Sequence, residues 1–166
     1  MSDAKTIHAL THVYDAAVNP GRWRRALDGV ADVMGAKAIA LLIRSHDPKT
    51  RDLNMVNSAY LDFARTPSGL FYMLWLSRLQ RPDWDFLSRQ PAHAPTPDTA
   101  IGPAPEELDA RKDYAYLRRK IGVGRRLGVR LNSDKVWFDA MSIAFEKSHY
   151  DVPGSATRDL QLLLPH

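Results

Sequence analysis

The chain has 166 residues, of which 45% are hydrophobic and 25% charged, a composition that suits one soluble globular domain with its own core. It contains no cysteine, which excludes a disulfide framework, thiolate metal sites and a cysteine nucleophile. The net charge of +4 permits contact with an anion or nucleic acid without requiring it. No signal-peptide pattern opens the sequence and no apolar run is long enough to cross a bilayer, so we predict a cytoplasmic protein without a membrane partner.

The first part of the chain predicts two helices. Residues 5–18 repeat apolar side chains at three- and four-residue spacing, which places them on one helix face. This predicted stripe consists of Ile7, Leu10, Tyr14 and Val18. Asn19 and Pro20 supply an N-cap and a first-turn proline for a second helix. That helix extends to about Met34 and ends at Gly35, which has the place of a left-handed C-cap.

Two strands and a helical region follow. The run KAIALLIR, residues 37–44, is continuous and apolar, which favours a buried strand. A turn-rich segment joins it to a second strand in RDLNMVNS, residues 51–58, so the two predict a β-hairpin. Residues 59–80 have a helical pattern with a cap at Thr66. We expect Pro82 to break this helix, because proline disfavours helical conformation at the residue before it.

Proline and glycine punctuate the next part of the chain. The stretch 91–105 contains five prolines and predicts an extended surface or edge connection, with room for one further strand at 96–102. Residues 106–120 predict two short helical pieces that end at Gly122. A last helix, capped by Ser155, follows the final strand.

The stretch RRLGVRLNSDKVWFDAMSIAF, residues 125–145, predicts a second hairpin with a four-residue loop at 132–135. The predicted pairs are Leu131 with Val136, Val129 with Phe138 and Leu127 with Ala140. One face of this hairpin is then apolar and suits the core, whereas the other is mixed and suits a pocket or a partly covered surface. The mixed face carries Arg126, Arg130, Trp137, Asp139 and Met141.

Paired strands separated by helices indicate an antiparallel sheet flanked by helices, an α+β fold in a single domain that spans residues 1–166. Three stretches carry a resemblance: IHALTHVYDAAVNPGRWRRALDGVADVMGA, the predicted second hairpin, and LQLLLPH. Together they resemble the N-terminal sensory domain of bacterial LuxR-type helix-turn-helix transcriptional regulators. The resemblance implies a PAS- or GAF-like sensor whose DNA-binding domain is absent from this chain. The chain is then either an excised domain or a stand-alone relative.

The same family includes receptors for acyl-homoserine lactones, which share a pattern of tryptophan, tyrosine and aspartate. Trp75, Trp84 and Asp85 do not fall into that pattern. The resemblance therefore implies a sensor fold and leaves the ligand and any cofactor unknown.

Aromatic side chains are candidate ligand-binding residues, because they provide apolar area and, in Trp and Tyr, a polar atom that orients a ligand. Most of these aromatic residues lie in the predicted helical regions, and they include Phe86 and Tyr114. Two further candidates, Trp137 and Met141, come from the mixed face of the hairpin. The predicted ligand-binding residues are Phe71, Tyr72, Trp75, Trp84, Tyr116, Trp137 and Met141. Packing in an ordinary core is the alternative explanation for each of them.

Two polar clusters are candidate binding sites of other kinds. The segment from Arg118 to Arg130 holds six cations and no acid, but no aromatic residue interleaves for base stacking, so we interpret it as a solvated face. His8, His12 and Asp15 share one helix face, yet they lie opposite the predicted apolar stripe, which favours solvation over a metal site.

The histidines at 46 and 93 have no identifiable partner, and no nucleophile elbow or phosphate loop is present. We therefore predict no metal site, no catalytic residue and no enzyme. The resulting hypothesis is a sensory domain that binds a small, largely apolar ligand between sheet and helices and forms a homodimer through its terminal helices. One alternative is a stand-alone α+β enzyme or carrier that uses the same cavity, and another is a dimerisation module without a ligand.

Overall fold

Two helices precede the sheet, α1 (Asp3–Val18) and α2 (Trp23–Met34), joined by a short 3₁₀ turn. Asn19 caps that turn by accepting a hydrogen bond from the Gly21 N–H at 3.2 Å, and Gly35 closes α2 in the left-handed conformation with φ 62°. Both predicted caps are confirmed. The structure, a computed structural model, describes residues 3–45, 47, 49, 52–101, 104–133, 137–148 and 151–164.

Five strands form one antiparallel sheet in the order β2-β1-β5-β4-β3. The strands are β1 (Ala38–Ser45), β2 (Leu53–Val56), β3 (Thr96–Pro97), β4 (Val123–Ser133) and β5 (Trp137–Glu146). The two predicted hairpins, β1–β2 and β4–β5, are confirmed. The proline-rich stretch supplies the edge strand β3. An edge strand pairs on one side only, so a proline there removes no hydrogen bond to a second neighbouring strand. The predicted α+β class with helices around an antiparallel sheet is therefore confirmed.

The remaining helices are α3 (Ser58–Ala64), α4 (Pro67–Phe71), α5 (Arg81–Leu87), α6 (Pro105–Ala110), α7 (Lys112–Ile121) and α8 (Gly154–Leu163). The predicted cap at Thr66 and the left-handed end at Gly122 are confirmed. Two boundary predictions are wrong. Pro82 lies in the first turn of α5, where its missing N–H is tolerated, so Arg81 is helical. Ser155 lies inside α8, and Pro153 has the N-cap position.

The register of the β4–β5 hairpin differs from the predicted one by three residues. Val129 pairs with Met141 and Leu127 pairs with Ile143. Asn132 and Ser133 continue β4 instead of forming the loop. The pairing register between β4 and β5 also shifts at two irregularities, one between residues 123 and 126 and one between residues 130 and 132. The rest of the predicted loop and the partner predicted for Leu131 lie outside the described residues. Because the shift is an odd number of residues, the predicted division of β5 between the two faces is reversed.

One face of the sheet, which we call face A, carries large aliphatic side chains and packs against α1, α2 and α8. This cluster forms the principal hydrophobic core. Its strand residues are Ile39, Leu41, Leu127, Val129, Met141, Ile143 and Phe145. Their burial follows from strand geometry, since alternate residues point to the same face.

The opposite face, face B, carries mostly small side chains on its three longest strands. These small residues are Ala38, Ala40, Gly128, Ala140, Ser142 and Ala144. Helices α3 to α7 cover face B through two smaller clusters, one around Phe63, Tyr72 and Leu117 and the other around Leu87 and Phe138. Short side chains cannot fill the layer between a sheet and its helices, so space remains on this face.

The predicted apolar stripe of α1 is wrong for three of its four residues, whereas Leu10 packs against the core of face A. Ile7, Tyr14 and Val18 are exposed, whereas small residues turn inward. Ala9 packs so closely on α2 that a Cβ built on Gly29 would lie 3.3 Å from the Ala9 Cα. The helix pair thus depends on close approach of backbones, which a search for large apolar residues does not detect. None of the helices in the described ranges is long and apolar enough to span a membrane.

Helices α3 and α4 also meet at a glycine, and this contact gives a test of the packing. A Cβ on Gly69 would lie 2.0 Å from the Phe63 carbonyl oxygen and 2.7 Å from the Ala64 Cα. We expect Gly69→Ala to lower the free energy of unfolding by about 2 kcal/mol, because backbone must move to admit the methyl group. The control is Gly154→Ala, where nothing lies within 4 Å. Urea denaturation measures both, and equal stability of the two variants would contradict the assignment.

Candidate functional site

An open groove of about 740 Å³ lies between face B and the helical layer, near the β1–β2 hairpin. Its size is in the range of ligand pockets, and its walls mix apolar and polar groups. The first hairpin contributes aliphatic residues together with the charged Arg44, Asp47 and Asp52. The helical layer contributes Tyr60, Trp84, Arg78 and Arg81. Further lining residues are Ala40, Leu42, Asn54, Val56, Met73, Ser77 and Gln80.

The far wall of the groove is a helical segment of uneven pitch. After α4 the chain makes a π turn over Tyr72–Leu76 and a 3₁₀ turn over Ser77–Gln80 before α5 begins. Such changes of pitch rotate the side chains that follow them. Gln80 and Trp84 consequently face the sheet. A Cβ on Gly128 would lie 3.1 Å from a Leu87 methyl group, so the glycine also lets α5 approach β4 closely.

Two small recesses, of about 40 and 30 Å³, lie deeper between the sheet and the helices. Both are lined by Gln80, Trp84, Arg126 and Ser142, and the first two of these residues also line the groove. The recesses are large enough for water molecules or a small polar group. The groove and the two recesses therefore adjoin each other at Gln80 and Trp84.

Arg126 is the central charged group of the recesses, with only 8% of the residue exposed. Its guanidinium lies 4.1 Å from the centroid of the Tyr114 ring, a cation–π contact. With its amide carbonyl turned toward these donors, Gln80 accepts hydrogen bonds from both terminal nitrogens of Arg126 and from the Tyr72 hydroxyl. Within the part of the chain that the structure describes, no carboxylate forms an ion pair with this guanidinium.

The charge of Arg126 persists despite its burial. Burial disfavours the cation, but the oxygens of Tyr114 and Tyr72 and the carboxylates Asp113 and Asp83 favour it, and the net effect raises the pKa of Arg126. The site thus contains a permanent positive charge whose hydrogen-bond partners are neutral.

The nearby carboxylates are held by a different arginine. Arg111 bonds Asp113 with two nitrogens at 2.8 and 2.9 Å, and it also bonds both oxygens of Asp83, one of them at 2.7 Å. Asp113 is completely buried and Asp83 nearly so. This triad ties α5 to α7 and keeps these carboxylates from pairing with Arg126.

Asp98 is the second polar group of the inner recess. Its Oδ2 accepts a hydrogen bond from the Arg126 backbone N–H at 2.9 Å, while its buried Oδ1 has no hydrogen-bond partner among the described residues. Burial raises the pKa of Asp98, because removal from water disfavours the charged carboxylate. Asp98 is thus a buried acceptor in a recess that the Arg126 guanidinium and the Tyr114 hydroxyl also line.

Ion pairs cross the mouth of the groove. Arg44 on β1 contacts Asp52 at 3.1 Å and Asp85 on α5 at 3.7 Å, and so bridges the first hairpin and the helical wall. Arg81 lies 4.0 Å from the same Asp85. These partly exposed pairs contribute little stability, so the mouth is held only loosely.

The predicted ligand-binding residues lie in three environments: the wall of the groove and recesses, the aromatic packing behind Gln80, and positions away from both. Trp84 lines the groove and both recesses, and Tyr72 is buried behind Gln80. Tyr116 stacks on Tyr72 with ring centroids 6.2 Å apart and donates a hydrogen bond to the Ser68 carbonyl.

The other four predicted residues lie away from the recesses. Phe71 and Trp75 are on the outer side of the helical wall, with 48% and 64% of each residue exposed. Trp137 is half-buried at the start of β5, opposite Ser45. Met141 is buried on face A, where it lines a separate apolar cavity of about 230 Å³.

Several lining residues were not predicted, although the sequence contains a signal for some of them. Alanine and serine alternate with the aliphatic residues over Ala38 and Ala40 of β1 and over Ala140, Ser142 and Ala144 of β5. Towards the other end of these strands, Leu42, Arg44 and Phe138 take the same side. That alternation of small and large residues indicates a space on one face. Gln80 and Asp98 carry no such signal, because only the tertiary fold brings them to Arg126.

The interpretation of the basic segment as a solvated face is wrong for its strand residues. Arg125 and Arg126 are buried. Arg125 and Arg118 both pair with Asp109, at 2.7 and 3.2 Å, and Arg130 donates to the carbonyls of residues 88 and 90. The cations therefore serve separate internal contacts and do not form one continuous patch.

The histidine candidates also separate. His8 and His12 contact each other through Nε2 atoms 3.0 Å apart, while Asp15 pairs with Arg22. Exposed His93 has φ 63° and lies at the edge of the sheet; the other turn histidine, His46, falls outside the described residues. In the ranges given above, no three His, Cys, Asp or Glu side chains converge in a way that could hold a metal.

The fold is similar to that of a solved domain, the VqsR LBD domain from Pseudomonas aeruginosa. The superposition has a TM-score of 0.65 and 17% sequence identity, and it covers 95% of this chain and 88% of that one. At this identity the similarity concerns the fold, an α+β architecture that is consistent with the predicted PAS/GAF-like class. No family model matches the sequence. No curated protein matches it either.

The Arg111 triad gives a test of what holds the helical wall. We expect Arg111→Met to lower the free energy of unfolding by about 3 kcal/mol, because it leaves two poorly solvated carboxylates without their partner. The control is Arg22→Met, which removes an exposed pair with Asp15 and should cost less than about 1 kcal/mol. Urea denaturation at neutral pH measures both. A small effect at Arg111 would show that the triad is not a structural tie.

Proposed function

We infer that this chain is the small-molecule-sensing domain of a transcriptional regulator and that the groove on face B holds its ligand. The observation that carries this inference is a wide groove that shares Gln80 and Trp84 with two recesses beside a buried arginine. A concave site of this volume, in which apolar residues such as Leu42, Val56 and Trp84 stand beside polar groups, is typical of small-molecule pockets. The similarity to a domain described as an LBD, together with the resemblance to LuxR-type regulators, supports sensing as the use of that pocket.

The position of the groove supports a mechanism by population shift. One wall is the sheet, and the other is the irregular helical segment that ends in Gln80 and Trp84. A ligand that contacts both walls favours the arrangement in which they are closest. The loose ion pairs at the mouth offer little resistance to such a movement.

An enzyme or carrier that uses the same groove is the alternative. A carboxylate–histidine pair in the cavity would favour catalysis, and the described lining of the groove and recesses includes carboxylates without a histidine. A dimerisation module without a ligand would need a filled interior, which the groove argues against. The sensing function is therefore the proposal that fits the site best.

Two matched tryptophan variants test ligand binding. Trp84 lines the site, whereas Trp75 is exposed on the outer side of the same helical wall. After incubation with an organic extract of bacterial metabolites, native mass spectrometry should detect a bound small molecule on the wild type and on Trp75→Ala. We expect Trp84→Ala to lose it, because its indole forms the shared wall of the groove and recesses. Retention by Trp84→Ala, or loss by both variants, would place the ligand elsewhere.

We also propose a homodimer formed through the terminal helices. The outer face of α1 exposes Ile7 and Val18, with 65% and 85% of each residue accessible, and α8 exposes Leu162. Exposed apolar residues of this kind on the two terminal helices suit contact with a second copy. Sedimentation should show a dimer for the wild type and a shift toward monomer for the double variant Ile7→Glu, Val18→Glu. The control is Leu70→Glu, which changes an exposed residue of α4 and should leave the dimer intact. A monomeric wild type would contradict the dimer.

The regulator assignment has its own test. A reading frame that encodes helix-turn-helix elements after residue 166 in the native gene would support transcription as the output, and an unrelated continuation would weigh against it.

A further inference from the structure

We propose that the ligand has a neutral polar end in which a carbonyl-type acceptor stands beside an N–H or O–H donor. Arg126 would donate to the acceptor and Asp98 would accept from the donor. The chemical class includes carboxamides, lactams and carbonyls with an adjacent hydroxyl. This inference rests on the proposed function, because it concerns the ligand of the same groove.

The donor side of the recess is Arg126. A guanidinium presents five N–H groups, and the described contacts of Arg126 are the Gln80 carbonyl, the Tyr72 hydroxyl and the Tyr114 ring. The recess lies against this group, so an acceptor placed there meets donors that no carboxylate of the described chain engages. A charge-assisted hydrogen bond of this kind is stronger than one between neutral groups.

The acceptor side is Asp98, of which only 2% is exposed. Its Oδ2 accepts a hydrogen bond from the Arg126 backbone N–H. Its buried Oδ1 accepts no hydrogen bond of good geometry from the described residues, and the neighbouring hydroxyl is that of Tyr114. A buried oxygen without a donor is costly, so a ligand that brings an N–H or O–H to it gains stability. Because Asp98 and Arg126 line the same recess, one small head group can reach both.

The balance of charge favours a neutral head group over an anion. Asp83 and Asp113 surround Arg111, and Asp98 adds a third carboxylate beside Arg126. Arg125 also lies near Asp98 and pairs with Asp109, so the region holds three guanidiniums and four carboxylates. An anionic ligand would add a fifth negative group. The inner recess, of about 40 Å³, admits only a head group, so the body of the ligand would lie in the groove beside Trp84.

Three probes that share an indole ring and differ in their polar group test this proposal. Indole-3-acetamide has the acceptor and the donor, methyl indole-3-acetate has only the acceptor, and indole-3-acetate is an anion. Binding is measured by isothermal titration calorimetry at millimolar ligand. We expect the wild type to bind the amide about tenfold more tightly than the ester, because the ester leaves the Asp98 oxygen unpaired. The anion should bind most weakly of the three.

Variants assign the two roles. Asp98→Asn keeps an acceptor for the Arg126 N–H and presents an amide donor to the recess, so it should abolish the preference for the amide over the ester. Arg126→Met should weaken all three probes. Asp62→Asn, an exposed carboxylate outside the recesses, should behave as the wild type. Thermal melts of each variant confirm that folding is retained.

The outcomes separate this inference from the proposed function. Equal affinity of amide and ester for the wild type, tightest binding of indole-3-acetate, or an unchanged preference in Asp98→Asn would overturn the inference. If none of the probes binds while the Trp84-dependent bound mass persists in native mass spectrometry, the inference fails and the proposed function stands. If the bound mass is also absent, both fail.

Discussion

The difference in side-chain size between the two faces of the sheet is the constraint on which the site depends. Face A carries leucine, isoleucine, valine and methionine, and their burial against α1, α2 and α8 supplies the largest apolar cluster. Face B carries mostly alanine, serine and glycine at the alternate positions of the same strands, with larger residues such as Leu42, Phe138 and Arg126 among them. The hydrophobic effect therefore stabilises the sheet from one side, which leaves the other side free to enclose space.

The polar groups of face B are arranged so that the helical wall and the binding recess use different arginines. Arg111 joins Asp83 on α5 to Asp113 on α7 and so fixes the wall. Arg126 comes from the sheet and takes neutral partners, with Tyr114 in contact with both guanidiniums. Since the structural carboxylates are satisfied by Arg111, Arg126 remains available to the recess. This separation gives the site a charge that is fixed in place before any ligand arrives.

Local signals in the sequence were sufficient for the class of fold. The caps at Asn19, Thr66, Gly35 and Gly122 depend on one or two residues each, and those predictions hold in the structure. The hairpins follow from alternating apolar residues bounded by turns. Proline content placed the edge connection, because a residue without an N–H is excluded from central strands.

Features that depend on tertiary contacts could not be predicted in the same way. The β4–β5 register depends on irregularities that no local pattern marks. The inner face of α1 uses Ala9 and Ala16, and small residues give weak periodicity. A strand with alternating arginines is ordinarily solvated, so the burial of Arg126 becomes apparent only when Gln80, Tyr114 and Asp98 are brought to it from distant parts of the chain.

The strand β5 contributes side chains to both layers within three consecutive residues. Ser142 lines both recesses, while its neighbours Met141 and Ile143 are packed among the helices of face A. The two layers thus share one stretch of backbone, and tightly packed interiors transmit small displacements instead of absorbing them. A displacement of Ser142 by a few tenths of an ångström would therefore be transmitted to α1 and α8, because a single peptide plane separates Ser142 from each neighbouring residue. The sheet is in this sense a common partition between the cavity and the terminal helices.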